Sequence, residues 1–304
     1  MTGFPPAIDA ADGARAARRQ AEAVVYAATA GARLIQREPA AFAVWVGVWL
    51  AAITAAALLV AFGGALPSHL EMSGRFGARL GPYAAVLITL FLLVWAATTQ
   101  AVFRAMIQPD ERRFFFLRLG EDELRLAVMS LAAFLLILIL GGVPAFLLLA
   151  LASPVLEAAP QLVRVIALAG AAGTIAMDIW IGVRLSLIAV ETFAEGRFSL
   201  GAYWPLTRGR FWYLLLIYAV SFLAFLLISA FMGAVTLSLQ GAQDLIGPPH
   251  GADPARRAGL IALAGAYGVL FSASWMASTV IFCAAQAHAF RTITGVHPRR
   301  MRGF

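Results

Sequence analysis

Six long apolar runs decide what this chain can become. They lie at about Ala40–Ala65, Pro82–Phe103, Leu126–Ala152, Leu162–Val190, Phe211–Leu239 and Ala258–Ala285. Each has at least the ~20 residues that a helix needs to cross ~30 Å of hydrocarbon. Together they take more than half of the 304 residues, which leaves no stretch long enough for a soluble catalytic domain. With 62% hydrophobic and 13% charged residues, the chain carries about half the charge typical of a soluble domain, ~25%. The fold class predicted is all-α: a polytopic membrane protein of six transmembrane helices arranged as three hairpins. Residues 1–38 form an N-terminal segment, 39–291 the membrane domain and 292–304 a basic tail.

Arginine sets the expected orientation. All 23 basic residues are Arg, which removes lysine chemistry from consideration. With the N-terminus inside, 18 of them fall on the inner side and only Arg75, Arg79, Arg164, Arg256 and Arg257 on the outer side. Because cytoplasmic connections collect positive charge, both termini are expected in the cytoplasm of a bacterial inner membrane. The outer loops are then about 66–81, 153–161 and 240–257. A net charge of +7 beside apolar spans points to anionic phospholipid of the cytoplasmic leaflet, and not to nucleic acid, as the partner. A membrane protein partner is the other candidate.

Ahead of the first span, apolar residues Ala21, Val24, Val25, Ala28, Ala32 and Ile35 recur at spacings of three and four between Gly13 and Arg37. That spacing predicts an amphipathic helix. It lies in the membrane interface or packs on its own protein. The first 38 residues hold five Arg and no continuous apolar core, so no secretory leader is expected. One cysteine, Cys283, excludes an internal disulfide or a thiolate cluster.

The connections on the inner side share a pattern. The second span leaves through Gln100-Ala101-Val102-Phe103-Arg104 and the sixth through Gln286-Ala287-His288-Ala289-Phe290-Arg291. The third and fifth spans follow stretches of Arg and aromatics, Arg113–Gly120 and Arg208–Trp212. Either internal repetition or recurring composition produces this.

The longest pause between apolar runs is Arg184–Trp212. Ser199 is a candidate N-cap for a short interfacial helix through Trp204, between spans four and five. Arg184, Arg197, Arg208 and Arg210, with Trp204, Trp212 and, from the preceding connection, Arg118, are candidate lipid-headgroup contacts or interfacial anchors. An Arg at the end of one span, Glu191 shortly after, and then Ser199, Leu200, Trp204, Leu206, Thr207, Arg208, Gly209, Arg210, Phe211 and Trp212 form a pattern. It resembles the membrane domain attached to some glycerophosphoryl diester phosphodiesterases and the related YciC-like six-helix bacterial membrane families. The resemblance implies a membrane fold without a catalytic domain. The four His, at 69, 250, 288 and 297, do not form the metal set a phosphodiesterase needs.

Asp178 falls near the middle of the fourth span, where a carboxylate costs at least ~2.5 kcal/mol. A partner on another helix is expected, from Ser272, Ser274 and Trp275 at similar depth or from Thr54 and Ser221. The pattern suits a proton or solute site in a transporter, or a buried structural hydrogen bond. Glu121, Asp122 and Glu123 precede the third span, where a helix N-terminus favours negative charge, and they are also placed to meet Arg residues of the Arg184–Trp212 stretch. The spacings Ala169–Gly173 and Gly268–Ser272 predict close helix approach, and Gly141, Gly142 and Pro144 a kink. No phosphate-binding glycine loop, zinc-protease helix, paired-cysteine or nucleophile-elbow motif is present. The function expected is therefore non-enzymatic, with no cofactor and no metal: a module for envelope or phospholipid homeostasis or a scaffold for a partner, with a transporter using Asp178 as the alternative.

Overall fold

The computed structural model describes residues 10–62, 75–110, 113–118, 120–137, 139–140, 143–144, 147, 160–195, 203–246 and 254–295. Every regular element among them is helical. In chain order they are α1 (Ala10–Ala28), α2 (Ala30–Arg37), α3 (Pro39–Phe62), α4 (Arg75–Ile107), a 3-10 turn (Arg113–Phe116), α5 (Glu121–Ile137), α6 (Pro160–Leu185), α7 (Ile188–Glu195), α8 (Tyr203–Thr207), α9 (Phe211–Ile246) and α10 (Pro254–Thr294). Five stretches are long and apolar enough to cross a bilayer: Pro39–Leu59, Ala85–Ile107, Leu168–Glu195 across α6 and α7, Phe211–Leu239 and Ile261–Thr294. The chain is thus a multi-pass membrane protein by its helices. The third predicted span, Leu126–Ala152, is helical as far as Ile137, and most of its remainder, with the Gly141-Gly142 kink, lies outside the described residues. So do most of the predicted outer loops, although α4 begins at Arg75 and α9 runs to Ile246, well inside two of them.

Local chemistry explains the breaks. Pro39 opens α3, where its missing N–H is no loss, and it forbids helical geometry at the residue before it. Glu38 accordingly sits at φ −127°, ψ 57°. The expected single helix Gly13–Arg37 is two pieces, bent where the Thr29 hydroxyl donates to the Val25 carbonyl at 2.7 Å. Its buried face shares Val24 and Ala28 with the predicted one but leaves Ala21, Val25 and Ala32 exposed. Val24, Ala27, Ala28, Ala30, Gly31 and Leu34 are buried, whereas Val25 is 57% exposed. This small-residue face lies on the bundle. A Cβ on Gly31 would stand 2.5 Å from the Ile281 Cα of α10, so α2 and α10 touch backbone to backbone.

Burial is concentrated toward one end. The tightly packed side chains are those near Trp45, residues 96–107, Phe116, Leu126–Met129, residues 181–192 and 276–290. Toward the other ends of the helices, Leu168, Ile175, Leu227, Leu237 and Ile261 are largely exposed, as lipid-facing side chains are. The predicted close approach at Ala169–Gly173 is not made for that reason: Gly173 has open space around it. At Gly268 an added Cβ would meet only the Leu50 side chain, at 3.4 Å.

Candidate functional site

Helix termini meet at the packed end, and arginines join them. Arg104, in the last turn of α4, is 5% exposed at its side chain and forms an ion pair with Glu123 of α5, itself 3% exposed. Arg104 Nη2 also donates to Gln100 Oε1 at 3.0 Å, and Nη1 to the Phe116 carbonyl at 3.0 Å. A buried pair is tolerable only when its remaining donors are satisfied in this way. Glu121, Asp122 and Glu123 open α5, where the helix N-terminus favours them, but a meeting of Glu123 with the Arg184–Trp212 stretch is not seen among the described residues. The partner of Glu123 is instead an arginine earlier in the chain, because α4 and α5 pack side by side. The Gln100/Arg104 spacing of one turn carries this cluster, and sequence reasoning read it only as a repeat.

The 3-10 turn that supplies the Phe116 carbonyl is unusual. Phe114, Phe115 and Phe116 have φ of 49°, 56° and 67°, the left-handed region that costs a non-glycine residue about 1–2 kcal/mol. Three contacts hold it there: Phe116 is buried, Arg104 takes its carbonyl, and Trp45 Nε1 donates to the Phe115 carbonyl at 2.9 Å. Phe114 is left 80% exposed.

A second arginine group surrounds a cavity of about 440 Å³ lined by residues of α1, α2, α4 and α10. Arg33, Arg37, His288 and Arg291 line it with Tyr26, Met106 and Thr292, and no carboxylate among the described residues does. Arg37 Nη2 donates to the Ala105 carbonyl at 3.1 Å and Arg291 Nη1 to the Met106 carbonyl at 3.1 Å. These are orphan carbonyls of the last turn of α4, which cationic side chains commonly satisfy. The Arg33 guanidinium stacks 3.6 Å from the Tyr26 ring centroid and donates to Thr29 Oγ1 at 2.7 Å and to the Tyr26 carbonyl. The Tyr26 and His288 rings lie 5.1 Å apart. Since a guanidinium has five donors, Arg37 and Arg291 keep N–H groups for a ligand. Glu38 stands 3.6 Å from Arg37 Nε without lining the cavity.

In the Arg184–Trp212 stretch some side chains pack inward and others stay exposed. Arg184 Nη1 donates to Thr207 Oγ1 at 3.1 Å, and its guanidinium lies 5.8 Å from the Trp180 ring. Thr207 is fully buried, so the two link α6 to α8 structurally. Glu191 is 3% exposed, and its Oε2 has no hydrogen-bond partner among the described residues. Gly209 takes φ +75°, which glycine adopts without penalty, and this turns α8 into α9. Arg208 is exposed. Arg210 reaches the Ile293 carbonyl at 3.4 Å. Trp212 is 76% exposed, edge-on to Phe211. Trp204 lies in α8, which runs Tyr203–Thr207 and not from Ser199; Ser199 and Arg197 lie outside the described residues. Arg118 is exposed, close after the left-handed turn.

Asp178 is half-buried in α6. Its Oδ1 makes no hydrogen bond among the described residues. The expected donors are taken or turned elsewhere: the Thr54 and Ser221 hydroxyls donate to the carbonyls of Leu50 and Ile217 on their own helices, at 2.8 and 3.0 Å. Ser272 is fully buried with an unpartnered hydroxyl, and Ser274 is half-buried. No hydrogen bond joins these three residues. No family model matches this chain, and neither a curated protein nor a solved structure is similar to it, so the resemblance at Arg184–Trp212 stands on the loop residues alone.

Proposed function

We propose that this chain is a non-enzymatic inner-membrane module of six spans, arranged as three hairpins, that holds an anionic phospholipid by its phosphate at the arginine-rich end. Its work is then in envelope or phospholipid homeostasis, or as a scaffold whose partner is recruited beside that lipid. The kinship with the phosphodiesterase-linked and YciC-like membrane families belongs to the same reading. One observation carries it: Arg33, Arg37, Arg291 and His288 line one cavity, with no carboxylate among its described residues, at the level where α3 begins and α10 ends. Arg pairs with phosphate through parallel N–H bonds, and the headgroup level of a cytoplasmic leaflet is where anionic lipid stands. With both termini cytoplasmic, the cavity opens to that leaflet. The candidate anchors Arg208, Arg210 and Trp212 then fix the depth of the bundle, while Arg33, Arg37 and Arg291 bind.

Native mass spectrometry of the gently extracted protein tests this. Retained phosphatidylglycerol or cardiolipin that Arg33→Gln/Arg291→Gln removes supports the reading. A preparation holding neither phospholipid nor partner protein defeats both its branches.

The transporter reading has its own support in Asp178 Oδ1, which has no hydrogen-bond partner among the described residues, within the fourth predicted span. It predicts that Asp178→Asn abolishes proton-coupled uptake in reconstituted vesicles. Uptake unchanged by Asp178→Asn removes it.

A further inference from the structure

Arg37 and Arg291 enter the basic cavity from two helices, held on the neighbouring carbonyls of Ala105 and Met106. Arg33, the third guanidinium of the lining, lies over the Tyr26 ring and is tied to Thr29 Oγ1 and the Tyr26 carbonyl. All three are thus fixed by the protein itself, and an anion that meets them costs little further side-chain freedom. Glu38, 3.6 Å from Arg37 Nε, offsets one of the three positive charges from outside the lining. Two positive charges are then left for a ligand. The other polar liners do not alter that balance. Tyr26 meets Arg33 and His288 through its ring, the Thr292 hydroxyl donates to the His288 carbonyl at 3.0 Å, and His288 in its neutral form has a single N–H.

We infer that the anion this cavity takes is a phosphate monoester and not a diester; resting on the phospholipid reading above, it is the headgroup of a phosphatidic acid. A monoester carries about 1.5 to 2 negative charges at pH 7, where a diester carries one. Only the monoester therefore balances the site. It also turns three terminal oxygens toward the protein, one for each guanidinium, whereas a diester has two and must seat a second ester group in place of the third.

Binding to the full chain in detergent tests the assignment. The probes are dioctanoyl phosphatidic acid and dioctanoyl phosphatidylmethanol, which differ by one methyl ester and one charge. Phosphatidic acid is expected to bind about tenfold more tightly, the effect of one further charge-assisted bond. Arg33→Gln should largely abolish that difference. The bonds of Arg33 stay within the N-terminal helices, so the substitution keeps the closure of α4 by Arg37 and Arg291. Equal or tighter binding of phosphatidylmethanol to the wild type overturns the monoester assignment and leaves the phospholipid reading standing, and a tenfold preference that Arg33→Gln leaves unchanged also overturns the assignment. If neither probe binds better than dioctanoyl phosphatidylcholine, both fall. Competition by glycerol 3-phosphate at matching concentration supports the monoester and overturns the lipid reading beneath it.

Discussion

Arg37 and Arg291, from opposite ends of the chain, donate to the adjacent carbonyls of Ala105 and Met106, each at 3.1 Å. The last turn of α4 is thereby closed by α2 and α10, and the same two guanidinium groups form one side of the basic cavity. Each bond is to a charged donor, worth about 1.5–3 kcal/mol before the exposure of Arg37 discounts it. Arg291→Met is expected to lower the unfolding free energy by ~1–2 kcal/mol, measured by thermal unfolding in a fixed detergent, and Arg37→Met by less.

The ion pair between Arg104 and Glu123 gives a larger and more specific effect. Removing one charge strands the other in a buried site, at a cost of ~3–5 kcal/mol. Glu123→Gln and Arg104→Met should each destabilise by that order, while Arg104→Met/Glu123→Leu together recover most of the loss. A double variant that unfolds at the sum of the two single losses contradicts the pairing.

Gly31 allows no side chain. Alanine there meets the α10 backbone at 2.5 Å, and forcing the helices apart costs ~1–3 kcal/mol. Gly47 of α3 is the internal control, with nothing within 4 Å of an added Cβ. Gly47→Ala should leave the unfolding free energy unchanged or raise it by up to ~1 kcal/mol of helix propensity. A Gly31→Ala protein that melts with wild type refutes the close contact.

Phe114 offers a test with the opposite sign. It holds φ 49° with its ring 80% exposed, so Phe114→Gly relieves strain and gives up little burial. A gain of about 1 kcal/mol is expected from this change, read as a higher melting temperature. Strain of this kind gathers at functional positions, so a stabilised Phe114→Gly protein that binds lipid less well would mark the turn as part of the working surface.

What the sequence made legible was governed by hydrophobic period and helix punctuation. Pro39 marks the start of α3, and the apolar runs at Phe211–Leu239 and Ala258–Ala285 lie within α9 and α10; the break of the N-terminal helix at Thr29 was not legible. Pairings between helices were not legible. Nothing in the spacing of Glu121, Asp122 and Glu123 says that Glu123 turns inward to Arg104, because that depends on which face of α5 meets α4. The same gap hides the basic cavity. Arg33 and Arg37 look like a leader helix's charges, and His288 and Arg291 like a span's exit, until α2 lies on α10 and brings them to one cavity. The intact motif Thr207-Arg208-Gly209-Arg210 reads as a binding loop, yet Thr207 and Gly209 have structural duties there.

The most direct measurement is the affinity of the purified protein for short-chain phosphatidylglycerol in detergent, against phosphatidylcholine of the same chain length and against inorganic phosphate as competitor. The account predicts preference for phosphatidylglycerol, weakening as salt rises, and a loss of about 10- to 100-fold in Arg33→Gln/Arg291→Gln, as expected for one or two charge-assisted bonds. Competition by inorganic phosphate at matching concentration would assign the cavity to a free anion. Equal affinity for the two lipids, or an affinity for phosphatidylglycerol that the double substitution leaves unchanged, contradicts it.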